Sequence, residues 1–536
     1  MLSSAILAVV LCASPAAGAD TAVVCPREFR EALAPWLAHR RQQGHQIVML
    51  SNLGSPDEVR ASIRRVAAGG NLRFLLLVGD ADPELYSVAA VRRRSVPAHY
   101  SKAVVNVQFG STREIATDNW YADLDEDRVP DIAVGRLPCD SASELSQLVE
   151  KILAYERSAD FGAWRRRVHF VAGLGGFGAV ADAVLESAAK SLICEGVPSA
   201  YSTTMTYGSW RSPYCPDPRD FRRVTLSRLN EGSLFWVYIG HGQPHAVDEV
   251  LVPGGRYPIL TCDDAARLAC RNGAPIACFL ACYSGAYDLP RDCLAEEMLR
   301  APGGPVAVLC GSRVTLPYSM SVMGSELLGQ AFGEQPRTLG EMFLEGKRRM
   351  VADEEPGAYR QALEAAARLM SPTKDQLSAE REEHLDLFNL LGDPLLRVSF
   401  PGRLELDANE SIAAGETLTV SGTSPLAGRG EIELVVGRGR LTFRPPLRQR
   451  FNAETLRDYA ETYRQANTPQ LCIRRVSLER GAFSTQVTVP REARGPCHVR
   501  IFVEGTDGCA AGGIDVVVER ESREALKNKR DDAAGE

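Results

Sequence analysis

Two apolar stretches of the sequence end in residues that can take part in chemistry. The first is Phe235-Trp236-Val237-Tyr238-Ile239, which runs directly into Gly240-His241-Gly242. The second is Ile276-Ala277-Cys278-Phe279-Leu280-Ala281, which runs directly into Cys282-Tyr283-Ser284-Gly285. Short apolar runs of this kind are typical of buried strands in a parallel sheet, whose carboxyl ends meet at one edge. The sequence therefore predicts an α/β fold in which His241 and Cys282 face the same crevice.

A thiol and an imidazole in one crevice can act as nucleophile and proton carrier. The chain between them is long enough for one crossover helix, predicted at 262–270, so the two strands can be neighbours. Gly242 carries no side chain, and we expect its backbone N–H and that of Cys282 to form an oxyanion hole. From the residues alone, a turn histidine and a structural cysteine stay open as the alternative, and His245 competes with His241 for the role of base.

Alternating strand and helix patterns extend on both sides of these stretches. Apolar strands are predicted at 22–25, 46–50 and 72–78 with amphipathic helices between them, and a second run of strands begins at 168–172. The helix predicted at 141–157 separates the two runs, and several helices are predicted within 319–391. We interpret these patterns as two α/β subdomains, 20–160 and 161–398.

The pattern changes after residue 399. Short Val- and Thr-rich runs separated by Gly and Pro predict an antiparallel β-sandwich over 399–520. The predicted strands are 404–406, 417–421, 432–436, 440–443, 484–489, 499–504 and 514–518, with a helix inserted at 453–466. Residues 521–536 are predicted to be a charged, solvated tail.

Composition excludes several classes of protein. The 536 residues are 45% hydrophobic and 24% charged, which is typical of a soluble globular chain. The 61 basic and 68 acidic residues are scattered along the sequence, so nucleic-acid binding through a basic face is not expected. After the first twenty residues no stretch of about 18 apolar residues occurs, so no membrane span is predicted.

The first residues predict export. Residues 5–13 form an uncharged apolar run, followed by Ala17-Gly18-Ala19, a small-residue triplet of the kind that signal peptidase cuts. We therefore predict a signal peptide over 1–19 and a secreted or cell-surface protein. Of the 14 cysteines, removal of Cys12 leaves an odd number, so at least one thiol stays free if all the others pair within the chain.

An ordered series of motifs resembles the gingipain family of cysteine peptidases, in the caspase-like clan. The matching segments are Tyr121-Ala122-Asp123-Leu124-Asp125, residues 129–138, Tyr238-Ile239-Gly240-His241-Gly242, Ala281-Cys282 with Asp288, Leu294-Ala295-Glu296 with Gly303-Gly304, and Leu391-Gly392-Asp393-Pro394. The resemblance implies a caspase-like catalytic region followed by an immunoglobulin-like domain. It also implies that Cys282 is the nucleophile, that His241 is the general acid and base, and that Asp131 orients His241.

The resemblance further implies a secreted cysteine endopeptidase that hydrolyses protein or peptide substrates through an acyl-enzyme. The alternatives are a transpeptidase on the same fold, in which an amine replaces water, and a non-catalytic adhesion or secretion module. Well-known members of the family cleave after Arg or Lys. This chain lacks the expected Trp after Gly311-Ser312, so the sequence does not favour basic specificity. Asp140 could supply a pocket carboxylate, although a helix N-cap is the favoured role.

Two further motifs each allow a ligand-binding and a structural interpretation. Asp123, Asp125 and Asp127 alternate like the start of a calcium loop, but Arg128 stands where an EF-hand has Gly, so a solvated acidic turn is the alternative. No cofactor is expected for the chemistry, and structural calcium is a family expectation. Residues 173–178 match the GxGxxG dinucleotide pattern. Because the segment after Gly196 lacks the required acidic residue, a strand-to-helix turn is favoured.

Overall fold

A computed structural model describes residues 18–81, 87–174, 190, 193–333, 338–352, 357–452, 454 and 456–519. The predicted signal peptide up to residue 17, the charged tail and residues 175–178 of the glycine-rich motif lie outside the described residues.

The strands before residue 400 are, in chain order, β1 Thr21–Val24, β2 Ile47–Leu50, β3 Phe74–Val78, β4 His99–Lys102, β5 Glu114–Thr117, β6 Ala133–Leu137, β7 Arg167–Ala172, β8 Ser202–Tyr207, β9 Phe235–Ile239, β10 Gly242–Gln243, β11 Ala246–Val247, β12 Glu249–Val252, β13 Gly255–Pro258, β14 Ile276–Leu280, β15 Ala307–Gly311 and β16 Phe388–Leu391. The α-helices described in this part are Arg30–Gln42, Pro56–Ala67, Ala89–Arg94, Asn119–Ala122, Ala142–Arg157, Phe221–Asn230, Leu294–Arg300, Pro317–Phe332, Leu339–Val351, Ala358–Met370 and Leu377–Leu387.

Ten of these strands form one continuous sheet within the described residues, in the order β2-β1-β3-β6-β16-β15-β14-β9-β7-β8. Neighbours are parallel throughout, except where β15 meets β16 in an antiparallel pair that sets Gly311 opposite Phe388. The predicted large parallel sheet is therefore confirmed, and it runs through both predicted subdomains. Because the two halves run in opposite directions, the start of β6 lies at the same edge as the ends of β15, β14 and β9.

The strand β16 corrects the sequence prediction, which assigned residues 319–391 to helices. Phe388, Asn389, Leu390 and Leu391 are all buried between β15 and β6. A four-residue segment is too short to show a strand or a helix period, so its position in the sheet could not be predicted from its pattern.

The motif after β16 anchors the first helix to the sheet. The Asp393 carboxylate is fully buried and accepts hydrogen bonds from Trp36 Nε1 at 2.5 Å and from Arg40 Nη2 at 2.5 Å. A Cβ placed on Gly135 of β6 would lie 2.5 Å from the Gly392 carbonyl oxygen. The Gly-Asp-Pro motif therefore has a structural role in which the carboxylate neutralises a buried guanidinium.

The region after residue 400 has the strands β17 Gly402–Arg403, β18 Glu405–Asp407, β19 Ser411–Ala413, β20 Thr417–Ser424, β21 Gly428–Val436, β22 Gln470–Leu478, β23 Gly481–Thr488, β24 Gly495–Glu504 and β25 Cys509–Glu519, with the helix Arg457–Ala466. They form one sheet of order β17-β25-β24-β21-β22, to which β19 adds on β25, and a second sheet of order β18-β20-β23. Buried residues of both sheets, such as Val420 and Ile432, share one apolar cluster.

The sequence predictions for this region were partly wrong. The inserted helix was predicted, but β22 was missed, and the strand predicted at 440–443 is not a strand in the structure. Pro445 and Pro446 follow that segment after one intervening residue, Arg444, and proline cannot donate a hydrogen bond to a neighbouring strand. Across the described part of the chain, no helix is both long enough and apolar enough to cross a bilayer.

We predict that Asp393→Ala lowers the free energy of unfolding by about 3–5 kcal/mol, because it leaves the Arg40 charge buried without this partner. Urea denaturation followed by tryptophan fluorescence measures the change. The matched control is Asp407→Ala at an exposed position, which should change stability by less than about 0.5 kcal/mol. Equal effects of the two substitutions would contradict an anchoring role for Asp393.

Candidate active site

The pairing of β9 with β14 brings His241 and Cys282 together. The two strands are parallel and adjacent, with Tyr238 opposite Phe279 and Ile239 opposite Leu280. His241 and Cys282 each follow their strand by two residues, and both line one cavity of about 380 Å³. The structure therefore places the predicted pair in one crevice at the predicted edge of the sheet.

Cys282 is half-buried, and its sulfur lies against the loop that follows β15. The Thr315 backbone N–H donates to Cys282 Sγ at 3.3 Å, and Thr315 Oγ1 lies 3.6 Å from the same sulfur. The Cys282 thiol can in turn donate to the Thr315 carbonyl oxygen at 3.5 Å, so the Thr315 loop fixes the position of the sulfur. Sequence reasoning missed Thr315, although its position after β15, the strand next to β14, was a usable signal.

A buried histidine holds the Thr315 loop in place. The Leu316 N–H donates to His384 Nε2 at 2.9 Å, and His384 Nδ1 lies 2.7 Å from the Glu380 carbonyl oxygen. These contacts require a neutral imidazole with its proton on Nδ1, because Nε2 must accept. Burial lowers the pKa of His384 to about 4, so the ring stays neutral at ordinary pH.

The backbones of the two loops approach each other closely where the oxyanion hole was predicted. A Cβ placed on Gly242 would lie 2.3 Å from the Cys282 carbonyl oxygen, so another residue would push the loops apart. Within the described residues, the Cys282 N–H donates to no acceptor. Tyr283, the next residue, has φ of 52°, a left-handed conformation that side chains rarely adopt and that is often found at functional sites.

His245 lies in the turn between β10 and β11. Its carbonyl oxygen accepts from the Cys262 N–H at 2.9 Å, and its side chain is not part of the cavity wall that His241 and Cys282 share. The geometry therefore favours His241 over His245 as the proton carrier.

The structure does not bring Asp131 to His241, which corrects the role predicted for this residue. Asp131 precedes β6, and β6 is four strands from β9 in the sheet, about 19 Å at ordinary strand spacing. Its Oδ2 accepts from the Leu124 N–H at 2.6 Å. Burial and the nearby carboxylates of Asp125, Asp127 and Asp123 raise the pKa of Asp131.

The acidic turn differs in detail from the predicted calcium loop. Carboxylate oxygens of Asp123, Asp125 and Asp131 lie within 4.8 Å of one another, and oxygen ligands of this kind suit calcium. Asp127 is not part of this cluster, and its Oδ1 accepts from the Val129 N–H at 2.7 Å. Arg60 Nη2 lies 3.1 Å from Asp123 Oδ2 and neutralises part of the charge. Calcium binding stays a prediction, with Asp131 in place of Asp127.

Asp140 does not belong to the cavity with Cys282. It follows β6 at the opposite edge of the sheet, where it lies 3.9 Å from Arg94 and 3.7 Å from Arg300. The N-cap of the helix Ala142–Arg157 is Ser141, whose Oγ accepts from the Glu144 N–H at 3.2 Å. Asp140 is therefore neither the pocket carboxylate nor the N-cap.

We predict that His384 makes the protein less stable as the pH falls from about 6.5 to 4. In that window an unfolded histidine binds a proton and the buried one does not, so protons favour the unfolded state by up to about 3 kcal/mol. Urea denaturation at several pH values measures the slope. The His384→Gln variant has no titrating group at this position, so its free energy of unfolding should fall by about 3 kcal/mol less than that of the parent over this range. Parallel slopes for the two proteins would contradict the assignment.

Comparison with known proteins shows to which protein family the chain belongs. The family model for peptidase family C25 matches residues 14–399. Lys-gingipain W83 of Porphyromonas gingivalis is 24% identical over 330 residues, which cover 59% of this chain and 16% of the relative. Gingipain R2 of Porphyromonas gingivalis (strain ATCC BAA-308 / W83) is 21% identical over 413 residues, which cover 73% of this chain and 48% of the relative. The chain thus spans less than half the length of either relative.

Solved structures share the fold. The crystal structure of the Arg-specific cysteine proteinase gingipain R has a TM-score of 0.52 at 17% identity and covers 94% of this chain and 98% of its own. The complex of Porphyromonas gingivalis RgpB pro- and mature domains has a TM-score of 0.51 at 16% identity, with 93% of this chain and 100% of that chain covered. Because the family model matches well over half of the sequence, this chain belongs to peptidase family C25.

Proposed function

We propose that the chain is a cysteine endopeptidase that hydrolyses peptide bonds of protein or peptide substrates through an acyl-enzyme on Cys282. The observation that supports this proposal most directly is the register of β9 and β14, which delivers His241 and Cys282 to one cavity. Membership of a peptidase family supports it independently.

In the proposed reaction the Cys282 thiolate attacks the substrate carbonyl carbon, and a C–S bond forms as the carbonyl becomes an oxyanion. The N–H groups of Gly242 and Cys282 accommodate that charge. His241 then gives its proton to the leaving amine as the C–N bond breaks, which leaves the acyl-enzyme. Water, deprotonated by His241, attacks the thioester and releases the carboxylic acid and the thiol.

The wall of the cavity suggests which substrate side chains bind. Among the described lining residues none is Asp or Glu, whereas Met205, Tyr207, Tyr214 and Met320 provide apolar and aromatic surface. Two lining arginines already have protein acceptors: Arg438 donates to the Pro198 and Tyr201 carbonyls, and Arg500 to Glu433. We therefore propose that the site does not favour Lys or Arg side chains.

The arrangement of the domains and the location of the protein can also be inferred. We propose that the two packed sheets after residue 400 form an immunoglobulin-like sandwich beside a caspase-like catalytic region. The shared apolar cluster of the two sheets supports the first part, and the β9–β14 arrangement supports the second. The apolar N-terminal run with its small-residue triplet supports a secreted or cell-surface location.

We predict that Cys282→Ala abolishes cleavage of a diverse peptide library, because it removes the sulfur that forms the acyl-enzyme, while the melting temperature stays near that of the parent. The control is Cys270→Ala, which removes another half-exposed thiol in the loop before β14 and should keep the parent rate. Cleavage by the Cys282 variant at more than about a tenth of the parent rate would overturn the nucleophile assignment.

A further inference from the structure

A buried hydroxyl connects the His241 loop to an acidic residue that the sequence analysis did not single out. The side chain of Tyr238 is fully buried, and its hydroxyl donates to the His241 carbonyl oxygen at 2.9 Å. The Tyr238 hydroxyl oxygen in turn accepts from the Asp248 N–H at 3.2 Å. Tyr238 therefore links the two ends of the hairpin β10–β11 and fixes Asp248 next to the histidine that precedes the hairpin.

Glycines leave the space that this arrangement needs. A Cβ placed on Gly173, which follows β7, would lie 2.7 Å from Asp248 Oδ2 and 2.8 Å from the Tyr238 hydroxyl. A Cβ placed on Gly240 would lie 2.7 Å from that hydroxyl. The Gly173 N–H donates to the Ile239 carbonyl at 2.9 Å, so the ends of β7 and β9 are held together at this point. The Asp248 carboxylate thus fills the space at the end of β7, beside the His241 loop.

The two oxygens of the Asp248 carboxylate have different surroundings. Oδ1 accepts from the Glu249 N–H at 2.9 Å. Oδ2 is buried and, within the described residues, accepts no hydrogen bond. Burying a carboxylate oxygen without a hydrogen-bond donor costs free energy, unless a nearby cation or donor interacts with the charged form.

Among the described residues, the titratable groups that act on Asp248 are His241, Glu249 and Tyr238. Burial raises the pKa of the Asp248 carboxyl, and the charge of Glu249 acts in the same direction. The positive charge of His241 and the backbone N–H groups of Glu249 and Leu174 act in the opposite direction and favour the carboxylate. The His241 side chain is therefore close enough to Asp248 for its positive charge to favour the carboxylate.

We propose that Asp248 is a positioning residue for the histidine of the proposed peptidase site: its Oδ2 receives the imidazolium N–H of His241 and holds the ring toward Cys282. This inference rests on the proposed function. It assigns to Asp248 the role that the family resemblance had suggested for Asp131. Asp248 lies against Gly173 at the end of β7, and β7 and the Cys282 strand β14 are on opposite sides of β9.

The test is Asp248→Asn, which keeps the size of the side chain and removes its charge. We expect kcat to fall by at least about 10-fold while KM changes less than twofold, because the imidazolium loses its counter-charge and not a substrate contact. The alkaline limb of the rate profile should move to lower pH by about one unit, since the imidazolium gives up its proton more easily. The control is Asp263→Asn at an exposed position, which should keep the parent kcat and profile.

A second measurement separates this inference from the proposed function. The rate at which iodoacetamide alkylates Cys282, followed by peptide mapping between pH 5 and 9, reports the thiolate–imidazolium pair without any hydrolysis. The Asn variant should react more slowly than the parent below pH 7. An unchanged alkylation profile, or a kcat loss that comes only with a lower melting temperature, would overturn the role of Asp248. If the parent hydrolyses no peptide but its Cys282 is still alkylated faster than that of the Asp248→Asn variant, only the peptidase proposal would be overturned.

Discussion

The register between β9 and β14 is the constraint on which the site depends. Because Ile239 is opposite Leu280 in a parallel pair, residues two positions further along each strand emerge at the same height of the sheet edge. A slip of one residue would turn the side chains of one strand to the other face and separate the thiol from the imidazole. The strands are almost entirely buried, so the apolar side chains that form the core also fix this register.

The neighbouring strands supply the remaining parts of the site. On one side, β15 ends in a loop whose Thr315 N–H donates to the Cys282 sulfur. His384 fixes that loop by accepting a hydrogen bond from the Leu316 N–H. On the other side, β7 ends in Gly173, which leaves room for Asp248 and the Tyr238 hydroxyl. Thr315 and Gly173 each follow a strand adjacent to the central pair, so the geometry of the sheet decides which of these loops reach the site.

The sequence was informative where function lies at the end of a recognisable strand. The placement of His241, Gly242 and Cys282 at one edge of the sheet could be predicted because each apolar run ends immediately before polar residues and glycines. Asp131 was misassigned because its contacts depend on the place of β6 in the sheet, and the position of β16 between β6 and β15 cannot be read from a four-residue run. Thr315 and Asp248 were missed because a turn or hairpin, rather than a periodic pattern, determines where they lie.

The most direct test of the central claim is covalent trapping of the nucleophile. A peptidyl acyloxymethyl ketone with an uncharged residue next to the ketone is incubated with the protein at neutral pH, and the product is analysed by intact mass and by peptide mapping. Attack by the thiolate displaces the carboxylate leaving group and forms one thioether. We predict a single adduct on Cys282, one of the 14 cysteines in the sequence, together with complete loss of peptide hydrolysis. An adduct on another cysteine, or hydrolysis that continues after Cys282 is fully modified, would contradict it.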